Sequence, residues 1–428
     1  GSLSQEYILI LQALKNFTFK GPNAQNEIQF EFLSDRIWSD NNIKEILTFK
    51  ILPRTASKAD LSFTNGTGPY LSLTAQQNEE NIVYFYKNPT GNANLENVRL
   101  MPFIDNSTFA TELSNKNINV MLSTPFGSLS SILADTSDYF YKSKISTTFF
   151  AVFFNTERVP LEKRKAYRAF LNNKKIMNEF FKVGTPQQRN ITDYLGNSNN
   201  FNDYLNYSVF PQSSYYVEEK IVVPDKNVVT PDNSQLTGLD IKVNLNSGLR
   251  EELNELMTIL NNQNLFQNKV KVTAVREDAI AAGDYDAVII PIRGYSSKIR
   301  YDLYDLFFRS PDLVNYRVNM RTRKSGNETV LDPSVIQVSN NFFRINGADQ
   351  QFTSFLQNIY GFMATQHIGD KQYYAGLIDE QERSLALATW LFSLPELSYY
   401  SRQFNEHSVQ QYGVATQLST IEKWQEKN

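Results

Sequence analysis

The sequence predicts an α/β protein with more than one compact unit, and three observations carry that expectation. First, strand and helix periodicities alternate between residues 241 and 292: Ile241, Val243 and Leu245 alternate, Leu249, Leu253, Leu256, Met257 and Leu260 share a helical stripe, and Val270, Val272 and Val275 return as a strand. Second, Asp286 to Ile292 is a run whose apolar residues form a third strand, and strands separated by helices imply a parallel sheet covered on both faces. Third, a chain of 428 residues is long enough for two or three units with their own cores.

The other elements follow in order. Ile28–Leu33 and Ile46–Leu52 read as strands around the polar loop Asp40-Asn41-Asn42. Tyr70–Thr74 and Ile82–Tyr86 form a hairpin pattern across the polar stretch Gln76–Glu80, then Val98–Ile104 is a strand, Ser107–Leu113 a short helix and Ile118–Met121 a strand. Thr147–Phe154 is β-branched and aromatic, and the helix after it carries Ala166, Ala169, Phe170, Met177, Phe180 and Phe181 near i, i+3, i+4 spacing. Its charged residues Lys163, Arg164, Lys165, Lys174 and Lys175 fall largely off that stripe and are expected to form a solvated face. From Gly184 to Pro231 the chain is rich in Asn, Ser, Tyr and Pro without periodicity, which reads as long surface loops. Phe352, Phe355, Leu356, Ile359, Tyr360 and Met363 make another helical stripe, and Leu385, Ala388, Leu391 and Phe392 are read as a further one.

Composition narrows the function. A net charge of −3 offers no basic excess for nucleic acid. No apolar run approaches the ~18 residues of a membrane span, and Tyr7–Leu11 falls far short. Cysteine is absent, so disulfides and thiolate metal sites are excluded. The two histidines, His367 and His407, do not make a His-rich metal site, and neither a nucleophile elbow, a phosphate-binding P-loop nor a zinc-protease spacing occurs. Adjacent acids such as Glu79-Glu80 and Glu251-Glu252 diverge on strand or helix, which makes them poor general acid/base pairs. No catalytic residues, metal or cofactor are expected.

The most informative stretch is Thr64-Asn65-Gly66-Thr67-Gly68-Pro69-Tyr70, where two glycines permit tight backbone and Pro69 fixes φ on entry to a strand. It is followed by Lys87-Asn88-Pro89 and then by Phe153-Phe154-Asn155-Thr156-Glu157-Arg158-Val159-Pro160 before a basic helix. Later come Asp284-Tyr285-Asp286-Ala287-Val288-Ile289, Asp305-Leu306-Phe307-Phe308-Arg309-Ser310-Pro311 and Asp379-Glu380-Gln381-Glu382-Arg383. In this order, from about Gln29 to about Gly413, the pieces resemble the family 5 extracellular solute-binding proteins, the peptide receptors of ABC importers. The resemblance consists of short diffuse motifs spread along the chain.

That resemblance implies a two-lobed, periplasmic-binding-protein-like α/β fold with mixed sheets. Residues 1–150 with 396–428 would form a first lobe, shortened at its amino end relative to the family, and residues 151–395 the second. Two strands, near Phe153–Thr156 and Leu394–Tyr400, would form the hinge, and closure would be driven by the solute's greater affinity for the closed state. The implied role is solute capture outside the cytoplasmic membrane, at the bacterial cell surface or in the periplasm, and delivery of a peptide or related small solute to the membrane subunits of an ABC importer. The anchoring cysteine many such receptors carry is missing, and Gly1-Ser2 reads as a tag remnant, so an export or anchoring segment is expected to have been trimmed.

The expected ligand-binding residues are Phe154, Asn155, Arg293, Gly294, Tyr295, Ser296, Tyr399 and Tyr400, with the aromatic members set to pack against solute. In peptide receptors of the family a Trp-x-Ala-Asp-Tyr segment supplies an Asp to the peptide's free amine. Here the corresponding stretch is Ile292-Arg293-Gly294-Tyr295-Ser296, and the acid is gone. A buried ammonium without a carboxylate is costly. Arg293 and Lys298 then stand either as attractors of an anionic ligand or as exposed charges, and Asp302 and Asp305 as displaced carboxylates, helix caps or part of a solvated face. The basic residues Arg317, Arg321, Arg323 and Lys324 fit an exposed loop or hairpin, or a phosphate or partner site. Two other classes stand beside the receptor: a degenerate receptor fold that docks onto a membrane complex, and an envelope enzyme on the same scaffold.

Overall fold

The computed structural model describes residues 17–21, 23–25, 29–32, 68–72, 82–101, 106–124, 138–183, 201–212, 214–218, 220–226, 229–246, 249–292, 322–325, 328–331, 342–344, 349–364, 368–410, 418 and 420–427. The strand expected at Ile46–Leu52, the loop at Asp40–Asn42, and Arg317 and Arg321 of the basic run lie outside them.

Thirteen strands are named here in chain order: β1 Phe17–Lys20, β2 Gln29–Phe32, β3 Tyr70–Ser72, β4 Val83–Lys87, β5 Asn97–Leu100, β6 Val120–Thr124, β7 Tyr139–Phe154, β8 Leu239–Val243, β9 Val270–Ala274, β10 Ala287–Ile292, β11 Thr322–Ser325, β12 Glu328–Leu331 and β13 Ala388–Ser401. The helices are α1 Asn106–Ser114, α2 Leu161–Phe170, α3 Asn173–Phe181, α4 Tyr215–Glu218, α5 Arg250–Leu260, α6 Gln263–Phe266, α7 Glu277–Ala282, α8 Gln350–Ala364 and α9 Ile368–Leu385. The chain divides into two compact units, one of Gly1–Phe49, Ser146–Arg189 and Asn199–Leu394, the other of Lys50–Ile145, Asn190–Ser198 and Pro395–Asn428. The long strands β7 and β13 each carry residues of both.

The first unit is organised by a sheet in the order β6-β13-β7-β10-β8-β9, of which β6 belongs to the second unit. The strands β8, β9 and β10 are mutually parallel where they pair, as the alternating pattern predicts, while β10 runs antiparallel to β7 from Ala287 opposite Phe154 to Ile292 opposite Phe149. The sheet is therefore mixed. Phe149 to Phe154 are all fully buried, and Phe153 packs edge-on against Trp390 with ring centroids 5.7 Å apart. Phe352, Phe355, Leu356 and Ile359 of α8 join the same core.

Four expectations need correction. The single helix expected after Pro160 is two, α2 and α3. The chain breaks at Leu171-Asn172 because Asn172 accepts a hydrogen bond from Lys175 N at 2.9 Å and caps the second helix. Arg164 is not on a solvated face. It is 5% exposed and donates to Val159 O at 2.7 Å and Leu385 O at 2.9 Å, the latter the last residue of α9.

The stripe Leu385, Ala388, Leu391, Phe392 is not helical: α9 stops at Leu385, Ala386 turns the chain at φ 45°, and β13 begins at Ala388. Every residue from Leu385 to Leu394 is buried, so this strand lacks the alternation that would separate it from a buried helix. Finally, the irregular segment before Pro231 is not wholly superficial. Tyr204, Leu205, Val209, Phe210 and Tyr216 are buried, and Phe210 and Tyr216 both pack on Phe362. Asn206 replaces a sheet ladder there: its N–H donates to Leu391 O, its side-chain amide donates to Ser393 Oγ, and its Oδ1 accepts from Gln212 N.

The second unit holds the sheet β3-β4-β5. Here the glycine-rich turn and the Asn-Pro step meet: Asn88 N donates to Pro69 O, and its side-chain amide donates to Gly68 O, both at 2.9 Å. A small core forms from Phe140, Tyr400, Phe404, Val409 and Trp424. Trp424 sits 5.3 Å from Tyr400 and 5.8 Å from Phe404, ring to ring, and its indole N–H donates to Thr420 Oγ1. Backbone bonds from Asn405 N to Gln425 O and from Lys427 N to Gln403 O fasten the segment carrying it.

Candidate functional site

In open α/β sheets ligands bind beyond the carboxyl ends of the parallel strands. In this chain those ends are Val243 of β8, Ala274 of β9 and Ile292 of β10. β10 lies inside the sheet between β7 and β8, so the chain leaves it at Ile292 from a central position. Arg293, Gly294, Tyr295 and Ser296 come directly after that strand end and lie outside the described residues.

Phe154 and Asn155 stand at the opposite end of β10. Phe154 pairs with Ala287, five register steps from the Phe149–Ile292 pair, which at ~3.3 Å per residue is roughly 17 Å along the strand. Phe154 is fully buried. Asn155 is 1% exposed and is bonded on every side: its amide donates to Gly283 O at 3.1 Å and Tyr285 O at 3.0 Å, its Oδ1 accepts from Glu157 N, and its own N–H donates to Asp286 O. The side chain thus ties the end of β7 to the turn that starts β10.

Arg344 reinforces the same turn by donating to Ala281 O, and it packs against Gly283, whose φ of +80° is open to glycine at little cost. Beside this turn Arg158 bonds to Asp284 and lies 3.5 Å from Asp286, and Asp286 accepts from Asp240 N. The hydrogen bond from Arg158 to Asp284 holds its guanidinium above the usual arginine range.

Tyr399 and Tyr400 belong to the second unit. Tyr399 is 4% exposed and lies 6.3 Å from Tyr141, ring to ring; Tyr400 is fully buried, stacked on Phe140 at 5.5 Å. The structure therefore places Phe154 and Asn155 together, places Tyr399 and Tyr400 in another unit, and leaves the four residues after Ile292 as those that follow a carboxyl strand end.

Sequence reasoning missed a buried ionic network in the first unit. Glu382 of α9 is fully buried and accepts from both terminal nitrogens of Arg168 of α2, at 2.9 and 3.0 Å. One turn earlier Asp379 bonds to Arg383, which donates at 2.7 Å to Asp225. Burial raises both the Asp379 and Glu382 carboxyls above the ordinary carboxylate range, although Arg383 and Arg168 respectively pull them back. Burial likewise pushes the Arg164 guanidinium down to about 10. The i, i+4 spacing of Arg164 and Arg168 on α2 was the signal available in the sequence. Among the described residues no group of three or more His, Asp or Glu is arranged to hold a metal, and no helix is long and apolar enough to cross a membrane.

Comparison with solved structures fits this architecture. The ABC transporter substrate-binding protein CtaP of Listeria monocytogenes aligns over 96% of this chain and 78% of its own, with a TM-score of 0.62 at 12% identity. NikZ of Campylobacter jejuni, solved with Ni(L-His), aligns over 98% of this chain and 80% of its own, with a TM-score of 0.54 at 15% identity. The dipeptide-binding protein of Pseudoalteromonas sp. SM9913, solved with Met-Leu, aligns over 99% and 77%, with a TM-score of 0.54 at 15% identity. No family model and no curated protein matches the sequence. The chain has the two-lobed α/β fold of the substrate-binding proteins of ABC transporters.

Proposed function

We propose that this chain is an extracytoplasmic solute-binding receptor that captures a peptide or related small solute and delivers it to the membrane subunits of an ABC importer in a bacterial envelope. The observation that carries the reading is the fold itself, shared along 96% of the chain with a substrate-binding protein of such a transporter. The motif order in the sequence supports it independently. We assign Arg293, Gly294, Tyr295 and Ser296 to the solute, because they follow the carboxyl end of β10. Phe154 and Asn155 serve the fold, their side chains being enclosed and bonded within it. Chemistry on the solute has no part in this role.

Native mass spectrometry of protein purified without denaturation, with thermal-shift screening against peptides, sugars and small anions, tests the proposal. A retained small solute or a ligand that raises the melting midpoint supports capture; at a concentration of 100 Kd the linkage gain is about 2.7 kcal/mol. A chain that carries no solute, responds to none of these classes and co-purifies with a membrane complex is instead a docking protein.

A further inference from the structure

The six-stranded sheet ends at β9, which among the described residues has β8 on one side and no strand on the other. The bonds from Leu239 N to Lys269 O and from Val275 N to Val243 O fix the phase of the β8–β9 ladder. Successive residues of a strand direct their backbone groups to opposite sides, so Lys269, Lys271, Thr273 and Val275 face β8, whereas Val270, Val272 and Ala274 turn their N–H and C=O outward. The middle one of these is already taken. Asn261, the residue that ends α5, folds its carboxamide onto β9: its Oδ1 accepts from Val272 N at 2.8 Å and its amide donates to Val272 O at 3.0 Å. One side chain thus supplies the pair of bonds that a neighbouring strand would make at this residue. The next residue, Asn262, has a separate task, accepting from Asn264 N to cap α6. Asn261, Lys271 and Ala274 are exposed, so the edge faces solvent.

An open edge is a template for another strand, and this one is self-complementary. A second copy laid antiparallel about a two-fold axis through Val272 would set Val272 opposite Val272 and Val270 opposite Ala274, so that every outward residue exchanges both of its bonds. Lys271 would fall opposite Thr273. No two lysines would then meet directly, and the charge on the edge does not forbid this register. We propose that the Asn261 carboxamide is an edge lock: by occupying Val272 from within its own chain, it holds β9 closed to pairing with β9 of a second copy. Opening the edge costs each copy its two bonds from Asn261 before any bond between copies forms. This inference is independent of the receptor reading.

The test is sedimentation velocity on the full chain over a range of protein concentrations, with melting curves recorded to show that each variant folds. Wild type is compared with Asn261→Ala, with Asn261→Gly, which suits a helix end, and with the double variant Asn261→Ala/Ala274→Pro. Proline at position 274 deletes an outward N–H without removing a bond to β8. Wild type should keep one mass at every concentration. Asn261→Ala and Asn261→Gly should self-associate at least about tenfold more tightly, the two hydrogen bonds lost from each copy making the difference, and Ala274→Pro should reverse this. Hydrogen exchange gives a second readout. The Val272 amide should exchange more slowly than the Ala274 amide in wild type; in the single variants that difference should vanish in dilute protein, and both amides should become protected in concentrated protein. Folded single variants with the wild-type mass throughout would reduce Asn261 to a tether between α5 and β9 and overturn the inference. Association that Ala274→Pro leaves unchanged would come from another surface and overturn it too. Loss of folding in both single variants would show that the fold itself needs the asparagine, and would equally overturn the lock.

Discussion

Removing Arg168 isolates a charge that the fold has fully enclosed. Its partner Glu382 has no exposed side-chain surface, whereas the Arg168 side chain keeps 18% of its own, so Arg168→Met strips the carboxylate of its two charge-assisted hydrogen bonds and offers no water in exchange. Breaking a buried pair from one side costs about 3–5 kcal/mol. At roughly 2–4 °C per kcal/mol for a unit of this order of size, the melting midpoint should fall by about 6 to 20 °C.

The same argument fixes the double variant. With Glu382→Gln added, no buried charge is left unpaired, so the combined loss should be smaller than the sum of the single losses by ~0.5–3 kcal/mol. It also fixes the pH dependence: without Arg168 the Glu382 carboxyl rises further, and protonation relieves the penalty, so Arg168→Met should be less damaging at about pH 5 than at about pH 8. Urea unfolding of the four proteins at both pH values is the assay. Additivity within about 0.5 kcal/mol, together with a loss independent of pH, would show that the pair is not the coupled buried unit described here.

Other perturbations follow from the same structure. Arg164→Met, which deprives Leu385 O and Val159 O of their donor, should cost about 1–3 kcal/mol in urea midpoint analysis; an unchanged midpoint would refute its role at the end of α9. Asn155→Ala should destabilise by about 2–3 kcal/mol through loss of the bonds to Gly283 O and Tyr285 O, yet leave solute affinity within twofold once the protein is folded. A large affinity loss at full foldedness would place Asn155 at the solute. Trp424→Ala should cost about 3–5 kcal/mol, read as earlier thermal unfolding.

For Asp379 the sign runs from its raised folded value: the folded chain binds the proton more tightly than the unfolded one, so its contribution is full at acid pH and is lost as pH rises through the folded value. Wild type should therefore lose more stability than Asp379→Asn between about pH 4 and about pH 8, and the reverse ordering in denaturation midpoints would refute the assignment.

The strands β8 and β9 and the helix α5 between them were legible in the sequence because alternation and a helical stripe survive wherever one face meets solvent or a neighbour of different polarity, and β10 because its apolar run is as short as a strand. β13 was not, because it is enclosed on both faces and every residue from Leu385 to Leu394 is buried, a mostly apolar run broken only by Thr389 and Ser393 that a buried helix would share. Arg164 was misplaced for a related reason. Charge alone assigns a residue to the surface, and only the position of Leu385 O, 221 residues away, explains its burial. For the site, the Asn-Thr step after Phe154 was visible, but its work is to hold the turn at Gly283–Asp286, which no local pattern reveals. The interruption between α2 and α3 was within reach, since Asn172-Asn173 is a capping signal inside an otherwise helical run.

The fastening of Trp424 also sets an order of assembly. The second unit draws its small core from Phe140 and from Tyr400 onward, so the first unit's Ser146–Arg189 and Asn199–Leu394 must leave the ribosome before that core has its parts. The first unit's main stretch, Asn199–Leu394, is complete by then and can fold while synthesis continues. A nascent chain halted before Thr420 would thus hold Phe140, Tyr400, Phe404 and Val409 without the Trp424 ring that packs on Tyr400 and Phe404, leaving part of that core for chaperones to shield.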